Sequence, residues 1–387
     1  MFSVISVVKP SGLESRHMET PRVSVAMVVC NVERFLAEAI ESILNQTFRD
    51  FEFIIVDFGS TDGSQSIVRR YREKDNRIQF HIIPHCNLSE ARNACCFRAR
   101  GKYLALLDAD DVALPERLAR QVHYLDRHPQ VAILGGAHEL IDEAGRRLGT
   151  VAGLAGDREV RNSLRTGSPF CASTVTMRVD AFRAVGGYRR AFADTAEDYD
   201  LWLRMMERGR AAKLRDVVAR YRIHTGQIGS LKLRQLSLGH CVARASAALR
   251  SQGRADPLNS ADSITPELLA ELGVTEEEVE NQLLASYYIR VLNSLRANMG
   301  KSILPLVDEM LEVLARSKCV RDSVAAETWF TAARVYCRRG NVMSACAAMT
   351  RAVITCPALA IRVPLRGIRR LARGGLIAWG GEYDARS

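Results

Sequence analysis

Three aspartates, Asp108, Asp110 and Asp111, directly follow an apolar segment of the sequence. Residues 103–107 are expected to form a buried strand, whose end would bring the carboxylates to the edge of a sheet. Carboxylate oxygens are the ligands that hard divalent cations prefer, and a cation held there could bridge to a diphosphate. An aspartate cluster at a strand end is also a common solvated turn. If Asp108 and Asp110 do bind the ligand, Asp111 is expected to cap the turn that follows.

Polar residues at other predicted strand ends favour the ligand site. Apolar segments at 23–29, 51–56 and 78–83 alternate with amphipathic helical patterns, which predicts a parallel sheet covered on both faces by helices. Ligands bind such open sheets at the carboxyl ends of the strands. Asn31 and Asp57 stand at two of these ends, and Asn31 is also expected to cap the helix that follows it.

A second pair of acids, Glu197 and Asp198, begins a predicted helix that ends near Gly209. Carboxylates in a first helical turn are favoured by the helix dipole, so capping alone explains them, and a capping residue can still be catalytic. His224 stands after a further strand, and a lone histidine after a strand is usually structural.

Composition describes an ordinary globular protein of 387 residues, long enough for two domains. No apolar run approaches the roughly 20 residues that cross a bilayer, and the N-terminal segment does not resemble a signal peptide. The net charge of +10 favours anionic partners without choosing among polyanion, lipid surface and nucleotide. Ten cysteines without a C-x-x-C pair indicate buried free thiols and a reducing, cytoplasmic compartment.

Composition changes along the chain predict its organisation. We expect a flexible tail at 1–20, an α/β domain at 21–230 and a helical domain at 231–360. Residues 325–357 have the spacing of one tetratricopeptide helix-turn-helix unit. Residues 361–387 form a basic tail, which suits either contact with an anionic membrane surface or a solvated terminal helix.

Several motifs occur together in a characteristic order within the first 230 residues. They lie at 28–31, 42–47, 56–64, 90–93, 107–111, 185–188, 196–202 and 221–224. With these motifs, residues 23 to about 230 resemble glycosyltransferase family 2, the inverting nucleotide-sugar transferases with the GT-A fold. The resemblance implies a Rossmann-like, mostly parallel sheet with helices on both faces, followed here by an α-helical C-terminal domain.

The resemblance also implies roles for the polar residues. Asp110 would hold Mn²⁺ or Mg²⁺ with His224, and Asp108 would share the metal or bind the ribose. Asp198 would be the catalytic base that takes the proton of the acceptor hydroxyl, and Glu197 would orient the acceptor or Asp198.

The donor nucleotide would be bound by residues at the same sheet edge. By resemblance, Asp57 would hydrogen-bond the nucleotide base, and Asn31 and Arg92 would contact the ribose or diphosphate. Two positions depart from the family's pattern there, since Cys30 replaces a frequent aromatic residue and Phe58 replaces an acidic or amide residue.

We therefore expect an inverting, metal-dependent glycosyltransferase that moves a sugar from a nucleotide-diphosphate sugar to a hydroxyl acceptor. Family frequency favours UDP, and the product would be a surface polysaccharide or a lipid-linked glycan made in the cytoplasm or at the inner face of the membrane. The alternative is a non-catalytic nucleotide-sugar-binding or scaffold protein whose helical domain binds a protein partner. A sugar nucleotidyltransferase is disfavoured because residues 30–33 offer no Gly-rich basic loop, and nucleic acid is not an expected partner.

Overall fold

The computed structural model describes residues 20–356 except 153–155, 166, 194, 225, 227–231, 297–302, 318–319 and 321. The basic tail at 361–387 and almost all of the predicted N-terminal tail lie outside these residues. The strands are β1 Val23–Val29, β2 Phe51–Asp57, β3 Ile78–Ile82, β4 Tyr103–Leu106, β5 Val112–Ala113, β6 Val131–Ile141, β7 Arg147–Val151, β8 Thr176–Arg178 and β9 Arg210–Arg222.

Helices separate the strands in the first part of the chain and follow one another in the last part. They are α1 Glu33–Leu44, α2 Ser64–Arg72, α3 Leu88–Cys96, α4 Arg117–Arg127, α5 Asp157–Leu164, α6 Val179–Ala184, α7 Glu197–Arg208, α8 Leu233–Ser251, α9 Pro266–Leu272, α10 Glu276–Arg296, α11 Ile303–Arg316, α12 Asp322–Arg338 and α13 Val342–Thr355. Among the described helices, none is both long and apolar enough to cross a membrane.

All the strands form one sheet in the order β3-β2-β1-β4-β8-β6-β9-β5, with β7 paired to β6. The first four strands in this order are parallel, as their continuous apolar sequences predict. The α/β fold with a C-terminal helical region is therefore confirmed. Because β1 and β2 pair in register from Val23 with Phe51 to Val29 with Asp57, the end of β2 lies beside the end of β1.

The other half of the sheet mixes strand directions. β8 is antiparallel to β4 and β6, whereas β9 runs parallel to β6 and antiparallel to the short β5. Pairing of Val112 with Arg220 brings the end of β9 back to the loop that follows β4. The topology thereby places residues 221–224 beside the three aspartates.

Helices cover both faces of the sheet. One core joins β1, β2 and β4 to the apolar faces of α1 and α4, and the opposite core joins the sheet to α3, α6 and α7. Val242, Ala243 and Leu249 of α8 are buried in this second core, as is Leu268 of α9. Helix α8 therefore packs against the sheet-bearing part of the chain.

The remaining helices form a core of their own. Buried residues of α10 to α13 make up this cluster, together with Leu233 at the start of α8. Helices α12 and α13 are joined through Gly340, whose φ of +73° suits glycine, and Arg351 lies over the ring of Trp329 at 4.7 Å. This helical hairpin covers the segment with tetratricopeptide spacing.

The stretch between 145 and 167 forms elements that were not predicted from the sequence. β7 and α5 occupy the polar, Gly-rich stretch between 145 and 167 that shows no clear apolar periodicity. β7 is an edge strand whose residues are half-buried or exposed, so its sequence lacks the alternation that identifies a strand.

Truncation of Leu36, which is fully buried between α1 and the sheet, tests this packing. We expect Leu36→Ala to lower the free energy of unfolding by about 2–5 kcal/mol, because it removes apolar contacts and leaves a cavity. Met343→Ala on α13 is the control, since Met343 is 83% exposed and its loss should change stability by less than ~0.5 kcal/mol. Urea titration followed by circular dichroism measures both, and equal effects would contradict the packing described.

Candidate active site

Asp57 ends β2 with two carboxylate oxygens in different surroundings. Its Oδ1 accepts hydrogen bonds from the amides of Gly59 and Ser60, at 3.2 and 3.1 Å, and from Gln65 Nε2 at 2.9 Å. Its Oδ2 is buried without a hydrogen-bond partner. Because a buried carboxylate oxygen without a donor is costly, this atom is suited to a ligand that brings one.

Asn31, in the loop after β1, connects two loops of the sheet edge. Its φ is +51°, and its side-chain oxygen accepts hydrogen bonds from the amide of Thr61 at 2.8 Å and the Thr61 hydroxyl at 3.2 Å. The prediction that Asn31 caps α1 was wrong. Val32 is the N-cap residue, and the carboxylate of Asp62 accepts from the amide of Glu33, so the cap comes from the neighbouring loop.

The aspartates after β4 point to three different partners. Asp108 Oδ1 accepts from Arg92 at 3.1 Å, and Asp110 Oδ2 accepts from His224 Nε2 at 2.9 Å. Asp111 is fully buried and its Oδ1 accepts from the amide of Arg222 at 2.8 Å. The prediction that Asp111 caps the next turn was wrong, because it instead anchors the end of β9.

The Asp110–His224 pair is the arrangement most suited to a divalent cation. In the described part of the chain, no three His, Cys, Asp or Glu side chains form a group that could hold a metal ion alone. One carboxylate and one imidazole nevertheless offer oxygen and nitrogen ligands that suit Mn²⁺. A cation of this kind is usually completed by phosphate oxygens of the substrate and by water, so the donor set fits it.

Arg92, on α3, joins the two groups of acids. Its guanidinium donates to Asp108 and forms an ion pair with Glu197 Oε1 at 3.2 Å, while its side chain is only 12% exposed. It also lies 5.7 Å from the centre of the Tyr188 ring. Arg92 and Asp108, which are predicted to bind the nucleotide, are therefore connected to Glu197, which is predicted to act in catalysis.

Glu197 and Asp198 occupy the first turn of α7. The N-cap residue Ala196 has a φ of +59° and makes no side-chain cap, and Asp198 Oδ1 accepts from the amide of Tyr199 at 2.6 Å. Burial raises the pKa of Glu197 to about 7, against the opposing effect of Arg92, with a further increase from Asp198. Burial likewise raises the pKa of the Asp198 carboxyl.

Sequence reasoning missed the part played by Arg222. Its side chain is almost fully buried, its Nε donates to the carbonyl of Asp110 at 2.8 Å and its Nη2 donates to Glu38 at 2.6 Å. It also lies over the ring of Phe35 at 4.7 Å. The sequence offered one indication of this role, which was the place of Arg222 in the motif at 221–224. An arginine is rarely expected inside a core, so the indication was not used.

Comparisons with known proteins point to one family. Residues 24–186 match the family described as "Glycosyl transferase family 2". The putative glycosyltransferase EpsE of Bacillus subtilis is 37% identical over 192 residues, covering 49% of this chain and 68% of EpsE. The O-antigen biosynthesis glycosyltransferase WbnJ of Escherichia coli is 31% identical over 206 residues, covering 52% of this chain and 80% of WbnJ.

The solved structures found in the comparison are more distant in sequence. Residues 1–349 of S. aureus TarS, in complex with UDP-GlcNAc, have 17% identity and a TM-score of 0.47, covering 85% of this chain and 90% of that one. The mannosyltransferase PcManGT from Pyrobaculum calidifontis, in complex with GDP-Man and Mn²⁺, has 20% identity and a TM-score of 0.47, covering 87% of both chains.

The raised pKa of Glu197 predicts a pH-dependent stability. Between its ordinary value of 4.5 and about 7, the folded protein keeps a proton that the unfolded chain has lost. This contribution is fully present below pH 4.5 and is lost as the pH rises through 7. As the pH rises, the free energy of unfolding of the wild type should fall by an amount on the order of 3 kcal/mol, and Glu197→Gln should not show this fall.

Urea titrations at pH 5 and pH 8 measure this difference. The wild type should lose more stability than Glu197→Gln between the two values. Asp216→Asn is the matched control. The Asp216 side chain is 47% exposed, so this variant should lose as much stability between the two pH values as the wild type does. Equal losses in the wild type and Glu197→Gln would show that Glu197 does not hold the extra proton.

Proposed function

Because the chain belongs to glycosyltransferase family 2, we propose that it transfers a sugar from a nucleotide-diphosphate sugar to an acceptor hydroxyl with inversion at the anomeric carbon. The observation that carries the proposal is the bridge made by Arg92 between Asp108 and Glu197. It joins acids at the end of β4, suited to the donor, to acids at the start of α7, suited to the acceptor. A non-catalytic binding protein would not need this second pair.

The surroundings of Asp57 support a uracil base in the donor. With Oδ1 occupied by three donors, Asp57 offers one free acceptor, Oδ2. The Watson–Crick edge of uracil carries one N–H between two carbonyl groups, so a single acceptor satisfies it. Guanine presents two adjacent donors, which are best met by both oxygens of a carboxylate. We therefore assign UDP as the nucleotide.

Asp110 and His224 would hold Mn²⁺ or Mg²⁺, with Asp108 sharing the metal or binding the ribose. When bound, the ion would supply positive charge that stabilises the departing diphosphate. Arg222 would keep the loop of Asp110 in place through the Asp110 carbonyl. Asn31 and Arg92 would complete the donor site on the ribose and diphosphate side.

Asp198 would act as the base. Its Oδ1 accepts from the amide of Tyr199, so we assign Oδ2 to the proton of the acceptor hydroxyl. Burial raises the pKa of Asp198 and makes the carboxylate a better proton acceptor than an exposed aspartate. Glu197, held by Arg92, would orient the acceptor. Attack from this side, opposite the leaving diphosphate, would invert the anomeric carbon.

The acceptor would belong to a surface polysaccharide or a lipid-linked glycan. Two relatives support this class of acceptor by their names. WbnJ is named for O-antigen biosynthesis, and AmsE of Erwinia amylovora is named for amylovoran biosynthesis. AmsE is 31% identical over 192 residues, 48% of this chain and 70% of AmsE. The net charge of +10 would suit work at the anionic inner face of the cell membrane, and the helical region would suit a protein partner.

Asp198→Asn tests the assignment of the base. The amide cannot take the hydroxyl proton, so the rate of sugar transfer should fall by roughly 10²–10⁴-fold. Affinity for UDP with Mn²⁺, measured by calorimetry, should stay within about twofold because the donor residues are intact. Asp110→Ala is the matched comparison, and it should weaken the Mn²⁺-dependent binding of UDP. Full transfer activity in Asp198→Asn would exclude Asp198 as the base.

Asp57→Asn tests the assignment of the nucleotide. The three donors around Oδ1 fix the amide oxygen there, so the amide NH₂ would replace the free acceptor. A donor facing uracil N3–H should weaken UDP binding by roughly 10–100-fold, and it should favour CDP, whose N3 is an acceptor. Titration with UDP, CDP and GDP measures the change. The assignment fails if wild type prefers GDP, or if Asp57→Asn keeps the wild-type preference.

A further inference from the structure

The turn before α7 has an unusual backbone conformation. Ala193 and Ala196 have φ values of +52° and +59°, in a region that residues with a side chain seldom occupy. The carbonyl of Ala193 accepts hydrogen bonds from the amide and the hydroxyl of Ser89, at 2.8 and 2.7 Å. The start of α7, and with it Glu197, is therefore held in a conformation that needs support from surrounding structure.

Helix α8 supplies close contact on the other side of this turn. A Cβ atom on Gly239 would lie 2.8 Å from Ala196 Cβ and 3.0 Å from the carbonyl oxygen of Thr195. Glycine is unfavourable inside a helix, so its presence within the 19 residues of α8 is explained by this approach. The next residue, His240, packs its ring against Tyr199 at 4.7 Å.

Charged contacts fix the rest of α8 against the same region. Arg250 of α8 forms an ion pair with Glu207 at 2.7 Å near the end of α7. Arg189 donates to Ser246 of α8 at 3.1 Å and to Asp256 at 2.7 Å. These contacts connect α8 both to the far end of α7 and to the segment before α7, so α8 has little freedom to move away from this region.

We propose that α8 braces the start of α7 and that Gly239 is a positioning residue for Glu197 and Asp198. The inference rests on the proposed roles of these two carboxylates. A methyl group on Gly239 would push Ala196, the residue directly before Glu197. Displacement of a base by a fraction of an ångström impairs proton transfer, whereas Asp57 at the end of β2 and Asp110 in the loop after β4 make no contact with Gly239.

Gly239→Ala tests the brace. The kcat of sugar transfer should fall at least tenfold, whereas the affinity for UDP with Mn²⁺ should stay within about twofold. Alanine favours the helix itself, so a large loss of thermal stability is not expected. Hydrogen exchange at the amides of 197–201 should become faster. Gln235→Ala, an exposed substitution one turn earlier in α8, is the control and should change none of these quantities.

The double variant Gly239→Ala/Ala196→Gly tests the mechanism. It removes Ala196 Cβ, the nearest atom that the new side chain meets, and leaves the contact with the Thr195 carbonyl oxygen. Glycine also adopts the φ of residue 196 freely, so part of the lost kcat should return. Wild-type kcat and exchange in Gly239→Ala would overturn the proposal, as would a double variant no better than the single one. If Gly239→Ala does not fold, the double variant is measured in its place. A folded double variant with substantial kcat would support the brace, and a double variant that also fails to fold would overturn it.

Failure of the proposed function gives a different pattern. If Asp198→Asn keeps full transfer activity, the assignment of the base is wrong whatever Gly239→Ala does. Faster exchange at 197–201 in Gly239→Ala would then still support the brace as a structural contact. Unchanged exchange together with an inactive Asp198→Asn would instead overturn the brace and leave the base in place.

Discussion

The ion pairs of Arg92 are the interaction on which the candidate site depends. Asp108, Glu197 and Asp198 are carboxylates gathered at one edge of the sheet, where burial raises the pKa of each. A guanidinium between Asp108 and Glu197 opposes that effect and allows the acids to stay close together. Removal of such a buried cation would leave uncompensated charge, so the geometry of both acid groups depends on it.

The mixed half of the sheet gives the site its remaining residues. β9 runs antiparallel to β5, and the bond from the amide of Arg222 to Asp111 fixes its end beside the loop after β4. Asp111 is thus the structural member of the acid motif, while Asp110 faces His224. The three neighbouring aspartates differ in role because each one contacts a different residue.

Much of this arrangement could be predicted from sequence because it follows from patterns of residues that are neighbours in the chain. Apolar runs located β1 to β4, and the parallel-sheet rule then placed Asp57 and Asp108 at one edge. The errors concern contacts between distant segments. The cap of α1 comes from Asp62 rather than the adjacent Asn31, and Asp111 binds a strand about a hundred residues later. No local pattern shows that Gly239 in α8 touches the turn before Glu197.

The release of nucleoside diphosphate from a panel of sugar nucleotides, with Mn²⁺ and after chelation, tests the central claim most directly. The site as described should release UDP from at least one UDP-sugar in the presence of Mn²⁺ and should stop when the ion is removed. Release that continues unchanged after chelation, or an absence of both release and binding across the whole panel, would contradict a metal-dependent sugar-transfer site built around Asp110 and Asp198.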